Sequence, residues 1–400
     1  MNKTSLRCAR AVTIIALAPT AVAQVPALVG GRPSLPDSAL LATGGVRWAY
    51  KVQPSPTNVA ISRRPPAGSE QQLVERAKAI LASHSGARAI ALLDGPTVIY
   101  VGLKAPAADS SLFQGASMTK TVTAWAVGQA ICAGKLRLDE RAADRIPELA
   151  GKALGRATVR DLLRMASGAA APDNPGNPLT GNILTAQQFK DWESGKLDFV
   201  AVVAEDRVSA AERGIFSDFS PGEHFVYKST DPLVLGLMIN AATGVTYAEW
   251  VQRMVFDPAG VQGPGWVPQN RRGQGRADGA IRLRIEDWAR LAWWARQSIG
   301  RPDCFGDYLR AASQTQIATG RKQARGKMAP TFAGYGFFIW TGSEIAPDTY
   351  WALGWGGQRI AWSQHSDRML IAFSTLEDWT EDLLGLFRDW SAAADQASPR

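Results

Sequence analysis

The chain has 400 residues, 46% of them hydrophobic, with a formal net charge of +8 and three cysteines. That length can bury a sizeable core, so neither a dense disulfide framework nor a structural metal is needed to hold it together. The basic surplus is diffuse, concentrated only at Arg271-Arg272 with Arg276 and at Arg321-Lys322 with Arg325 and Lys327, both among polar loop residues, which argues against nucleic acid as a partner.

Lys3, Arg7 and Arg10 precede the apolar run Ala11 to Ala18 and the small-residue stretch Ala21-Val22-Ala23. This layout predicts a cleaved secretory signal over residues 1–23, a periplasmic or secreted protein, and no stable membrane anchor. Cys132 falls on an apolar stretch and reads as a buried free thiol rather than a partner of Cys304. Residues 24–68 are rich in Pro and Gly and predict an extended arm with a short strand at Val46 to Val52. Helical spacing of Leu73, Ala77, Ile80 and Leu81 predicts a helix from Glu70 to Ser83. Ala89 to Leu93 and Thr97 to Val101, joined by Asp94-Gly95-Pro96, predict a hairpin.

Next comes Phe113-Gln114-Gly115-Ala116-Ser117-Met118-Thr119-Lys120 and the apolar run Thr121 to Ala133. A Ser and a Lys three residues apart at a helix start share one helical face, so the amine can reach the hydroxyl. Such a pair makes a serine nucleophile without histidine, provided burial keeps the lysine neutral. The spacing alone has an everyday alternative, a capping Ser beside a solvated Lys. Leu136 to Gly151 reads as loop and Thr158 to Ser167 as helix, while residues 168–226, including Pro172-Asp173-Asn174-Pro175, predict a long active-site loop or lid. Pro232 to Ala242, Tyr247 to Val255 and the Trp-rich Ile285 to Gln297 predict helices. Tyr335 to Trp340, Tyr350 to Leu353, Arg359 to Ser363 and Met369 to Thr375 predict strands, and Thr380 to Ala393 a closing helix.

Strands near both ends with helices between predict one sheet built from the two ends, with a helical lobe and a cleft where lobe meets sheet. The expected division is an arm over 24–68, a sheet domain over 69–160 and 316–400, and a helical lobe over 161–315.

In this order the Ser117 stretch is no longer isolated. Tyr227-Lys228-Ser229, Trp355-Gly356-Gly357, the segment Asp161 to Gly168 and Tyr335-Gly336-Phe337 follow it at intervals that resemble the β-lactamase-like serine hydrolases. The similarity covers most of the chain beyond about residue 70. It implies the α/β sandwich of the β-lactamase/transpeptidase type, an antiparallel sheet flanked by helices plus a helical lobe. Penicillin-directed members usually carry Lys-Thr-Gly at the third position; Trp-Gly-Gly instead resembles family VIII carboxylesterases. The arm from Val46 to Pro65 and the run Phe225 to Gly244 resemble 6-aminohexanoate-dimer hydrolases, which cleave short linear amides.

The resemblance implies Ser117 as nucleophile, Lys120 and Tyr227 as general base and acid in either order, and backbone N–H groups of Ser117 and Gln358 as oxyanion donors. Gly356 and Gly357 let substrate approach the backbone. Ser229 either orients Lys120 or caps the following helix, and Trp355 either walls the acyl pocket or packs beside the sheet. Lys228 reads as a solvated charge and His224 as structural. The expected substrate is a small ester or amide, with no cofactor and no metal. A β-lactamase or D-aminopeptidase is the alternative within this chemistry, and a penicillin-binding or sensing protein that acylates without efficient turnover the alternative outside it. A Ser-His-Asp hydrolase is poorly supported, since Gly115-Ala116-Ser117-Met118-Thr119 lacks the closing Gly of a nucleophile elbow. His84, His224 and His365 are too far apart in sequence to suggest a metal motif.

Overall fold

Glu70–Ser83 is a helix whose Val74, Ala77, Ile80 and Leu81 are buried, as their spacing demands. The computed structural model describes residues 27–29, 32–41, 48–169, 186–205, 220–320 and 332–393. The leader, the Pro172 to Pro178 stretch and the Arg321 to Lys327 cluster lie outside the described residues.

In chain order the strands are β1 (Ala27–Val29), β2 (Arg32–Ser34), β3 (Ala49–Lys51), β4 (Ser62–Arg63), β5 (Ala87–Asp94), β6 (Thr97–Leu103) and β7 (Phe113–Gln114). There follow β8 (Gly265–Pro268), β9 (Arg282–Leu283), β10 (Ile317–Ala318), β11 (Phe332–Tyr335), β12 (Trp340–Ser343), β13 (Thr349–Gly354), β14 (Gln358–Ser363) and β15 (Arg368–Ser374). Nine of them form one sheet in the order β10-β11-β12-β13-β14-β15-β5-β6-β4, joining both ends of the chain as expected. Every pairing in it is antiparallel except β4 with β6. A second sheet, β3-β8-β9-β7, lies beside the nucleophile.

Side chains that alternate along a strand reach opposite layers, and here they name both. Tyr350 of β13 stacks on its cross-strand partner Trp362, which meets Trp125 of the helix Met118–Cys132 and donates its indole N–H to Ala292 O in the helix Ile285–Ile299. Trp351, one residue on, meets Phe387 of the closing helix Thr380–Ala392 on the other face. The helix Met118–Cys132 is buried on nearly every side, consistent with an apolar run that shows no single wet face. Against it packs the helix Thr230–Thr243. Among the described residues no helix is long and apolar enough to cross a membrane.

Three expectations change. Tyr335 to Trp340 is not a strand but a buried turn between β11 and β12: Gly336 N–H donates to Ile339 O at 2.7 Å, and Phe338 takes a positive φ of 54°. Its apolar residues are buried by tertiary contacts, and Phe338 N–H bonds Leu163 O instead of a ladder partner. The helix predicted from Thr158 to Ser167 is a single short one, Val159–Leu163, opened by a capping box between Thr158 and Asp161. Finally, Cys132 and Cys304 are joined as a disulfide, not free. The residues face each other because the helix Cys304–Ala312 docks along the Ser117 helix, Tyr308 Oη donating to Ala124 O at 2.8 Å midway along it.

A bridge across 172 residues of sequence restricts the unfolded chain strongly, by about 4–5 kcal/mol in the chain-entropy treatment. Full reduction is therefore expected to lower Tm by on the order of 5–10 °C. Calorimetric scans with and without a phosphine reductant check this, and an unchanged Tm would show that the bridge contributes nothing.

Candidate active site

β7 ends at Gln114, and the chain then turns sharply through Ala116 at φ 44° before the helix opens at Met118. A non-glycine residue in the left-handed region costs about 1–2 kcal/mol, so the turn is held by its surroundings. Ala116 O accepts from Ala280 N–H, itself at φ 76°, and Gly115 N–H donates to Ile281 O. Ser117 occupies the N-cap position yet makes no capping bond, which leaves its hydroxyl for other work.

That hydroxyl accepts a hydrogen bond from Lys120 Nζ at 2.9 Å. Lys120 is 2% exposed, and its amine also donates to the backbone oxygen of Asp278 at 2.6 Å. The same Nζ lies 5.2 Å from the ring centroid of Tyr227. Ser117 and Lys120, from the start of one helix, are thus brought together with Tyr227 from a distant segment. Tyr227 is half-buried in an aromatic cluster with Phe225, Tyr335 and Trp340, its ring centroid 5.6 Å from that of Trp340.

Ser229 makes no cap bond to the helix Thr230–Thr243, which answers against the capping alternative. Its side chain instead helps lower the pKa of Asp278, whose backbone oxygen holds Lys120. Asp278 escaped the sequence reading because nothing local marks it; 158 residues separate it from Lys120. Burial alone would raise its pKa, but the Arg276 guanidinium, the nearby Lys120 side chain and the Ser229 hydroxyl outweigh that and hold it below the usual carboxylate range. Arg276 grips it with two hydrogen bonds, 2.7 and 3.0 Å, so most of the carboxylate's charge is spent on the guanidinium rather than on the lysine.

Lys228 is not solvated. Its side chain is fully buried, Nζ donates to Val226 O at 3.0 Å and lies 3.3 Å from Asp231 Oδ2, while Asp231 Oδ1 accepts from Ser167 Oγ at 2.8 Å. Burial pushes the lysine pKa down and the aspartate pKa up, each countered by the other's charge. The stretch from Val226 to Asp231 is further tied by Val226 N–H to Met165 O at 2.8 Å. His224, by contrast, is exposed.

Trp355, Gly356 and Gly357 form the hairpin turn between β13 and β14. Gly356 and Gly357 have φ of 82° and 94°, which glycine alone adopts without strain. Gln358 is fully buried, and its side chain braces the turn, donating to Trp355 O and Ser374 O and accepting from Ser374 N–H. Trp355 is partly buried against the core, and its indole nitrogen is buried with no partner. The turn lies against the nucleophile loop: a Cβ built on Gly354 would fall 2.4 Å from Gly115 O, so glycine is required for that approach. His365 lies beyond the other end of β14, about 20 Å of strand away.

A serine bonded to a buried amine, beside a tyrosine and the glycine turn of a sheet, is a set of groups able to carry out acyl transfer. The family model described as Beta-lactamase matches residues 73–394. Penicillin-binding protein 4* of Bacillus subtilis (strain 168) is 29% identical over 159 residues, 40% of this chain and 31% of that protein, so the match spans about a third of the relative's length. Among solved structures, a proposed 6-aminohexanoate-dimer hydrolase of Bacillus anthracis superposes with a TM-score of 0.67 at 14% identity, covering 88% of this chain and 92% of the other. An octameric penicillin-binding protein homologue of Pyrococcus abyssi gives 0.58 at 17% identity, covering 82% and 78%. At such identities the structural likenesses establish the β-lactamase/transpeptidase-like fold, while the match along most of the sequence establishes more: the chain belongs to the Beta-lactamase family, a family of serine hydrolases.

Proposed function

We propose that the protein is an exported serine hydrolase that cleaves small esters or linear amides through an acyl-enzyme on Ser117. The observation that carries this reading is the 2.9 Å hydrogen bond between Lys120 Nζ and Ser117 Oγ inside a buried site shared with Tyr227. Ser117 Oγ bonds to the substrate carbonyl carbon as its proton passes to Lys120, directly or by way of Tyr227. The bond to the alkoxide or amine then breaks, with Tyr227 returning the proton to the leaving group. Water attacks the acyl ester by the reverse route and frees Ser117. Backbone N–H groups of Ser117 and Gln358 stabilise the oxyanion. Base and acid are assigned to the Lys120–Tyr227 pair as a unit.

Trp355 stands where penicillin-directed relatives usually carry a lysine, which supports simple esters and amides over β-lactams. The Bacillus anthracis neighbour's description supports linear amides in particular. The disulfide between Cys132 and Cys304 supports an oxidising compartment, in keeping with the leader-like first residues. A second reading, acylation without efficient turnover, draws on the partial match to a penicillin-binding protein.

Labelling with a fluorophosphonate, mapped by mass spectrometry, is expected to modify Ser117, and p-nitrophenyl butyrate to be turned over continuously. Label on another serine would overturn the nucleophile. A stoichiometric burst without steady release would select the second reading, and faster hydrolysis of a chromogenic cephalosporin than of the ester would overturn the substrate class.

A further inference from the structure

The second sheet presents a row of side chains that the reaction above does not use. Residues directly opposite on neighbouring strands lie side by side on one face. The registers Lys51↔Trp266, Trp266↔Arg282 and Gln114↔Arg282 therefore set Lys51, Trp266, Arg282 and Gln114 in a line across β3, β8, β9 and β7. The alternate residues Val267, Leu283 and Phe113 are fully buried, so the row occupies the other face, where Trp266, Arg282 and Gln114 are half-buried and Lys51 is exposed.

Two of these residues carry unsatisfied donors. Arg282 Nε and Trp266 Nε1 are buried and make no hydrogen bond. Buried donors normally find acceptors, and a largely buried guanidinium normally finds a carboxylate. The row itself contains no acid. Other arginines in this part of the protein are paired, Arg276 with Asp278 and Arg290 with Asp287. Arg282 pays the desolvation penalty with no charge partner beside it, which pulls its pKa down to about 10.

The position is close to the chemistry. Arg282 pairs with Gln114, three residues and at most about 11 Å of chain before Ser117. The chain runs back from β9 through Ala280, bonded to Ala116 O, to Asp278, whose backbone oxygen holds Lys120.

We propose that Arg282 and Trp266 form an anion subsite that takes a carboxylate of the substrate. A carboxylate has two acceptor oxygens, matching a guanidinium and a neighbouring indole N–H, and its charge compensates the arginine. The substrate is then a small ester or amide bearing a free carboxyl group, with the cation that holds it on β9 rather than at Trp355. This rests on the ester or amide reading of Ser117 for its role, but not for its test.

Calorimetric titration with adipate and with the neutral adipamide reads binding without turnover. The native protein is expected to bind adipate at least tenfold more tightly than adipamide; Arg282→Gln removes that preference and Trp266→Phe lowers it several-fold. In kinetics, the ratio of kcat/KM for mono-p-nitrophenyl adipate to that for p-nitrophenyl hexanoate falls at least tenfold in Arg282→Gln. Tm of Arg282→Gln is expected to be no lower than that of the native protein, because no partner is lost. Equal binding of the two probes by the native protein, an unchanged preference in Arg282→Gln, or a large fall in its Tm would overturn the subsite. Loss of adipate binding in Arg282→Gln together with no turnover of either ester would leave the subsite standing and reject the esterase reading instead.

Discussion

Lys120→Ala is expected to lower kcat/KM for p-nitrophenyl butyrate by roughly 10³-fold or more, about 4 kcal/mol of transition-state stabilisation. The amine is the group hydrogen-bonded to the nucleophile, and its other neighbour, Asp278 O, is a backbone acceptor that cannot take a proton in its place. Lys120→Arg should be nearly as poor, since a guanidinium stays protonated throughout the working pH range and cannot serve as a base. Fluorophosphonate labelling of Ser117 should slow in parallel, because attack on phosphorus needs the same proton removed. The measurement is steady-state kinetics with the labelling rate followed alongside. A Lys120→Ala protein within tenfold of the native rate would mean that Tyr227 alone activates Ser117, and Lys120 would then be a packing and positioning group. Ser117→Ala serves as the floor: if Lys120→Ala sits at that floor, nucleophile and base act as one unit.

The legible parts were those where local pattern and tertiary burial agree. The helix Glu70–Ser83, the hairpin of β5 and β6 and the strands β13 to β15 all carry their period in their own residues, and each came out within a residue or two of its pattern. Tyr335 to Trp340 misleads because aromatic residues in succession favour strands, whereas here they are buried as a turn closed by Gly336 N–H to Ile339 O. The nucleophile pair was visible because its geometry is helical and local. Tyr227 was visible only through the family's motif order. Asp278 and Arg282 were missed because each owes its character to segments distant in sequence, Asp278 to Lys120 and Arg282 to its cross-strand neighbours Gln114 and Trp266, whereas Lys228 was missed because nothing local shows that it and its neighbour Asp231 are buried together. The same holds for Cys132 and Cys304, whose pairing depends on how two helices dock.

Lys228→Met is expected to destabilise the protein by about 3–5 kcal/mol, read as a drop in the urea midpoint. Both members of the Lys228–Asp231 pair have side chains with no solvent exposure, so removing the ammonium leaves a carboxyl group with only Ser167 Oγ for company. Part of the cost is relieved if that carboxyl takes up a proton, which places the loss toward the lower end of the range. Replacing both, as Lys228→Met with Asp231→Leu, should return most of the stability, since an apolar pair of similar volume avoids burying any charge. Activity should not return with it. Lys228 Nζ holds Val226 O, Asp231 holds Ser167, and Tyr227 lies between these two anchors, so the ion pair fixes where the phenol meets Lys120. The double variant is therefore expected to fold well yet show kcat on short esters reduced at least tenfold, with KM changed little. Recovery of both stability and kcat would show the pair to be structural only, and no loss of stability in Lys228→Met would show that the ammonium is not buried as described.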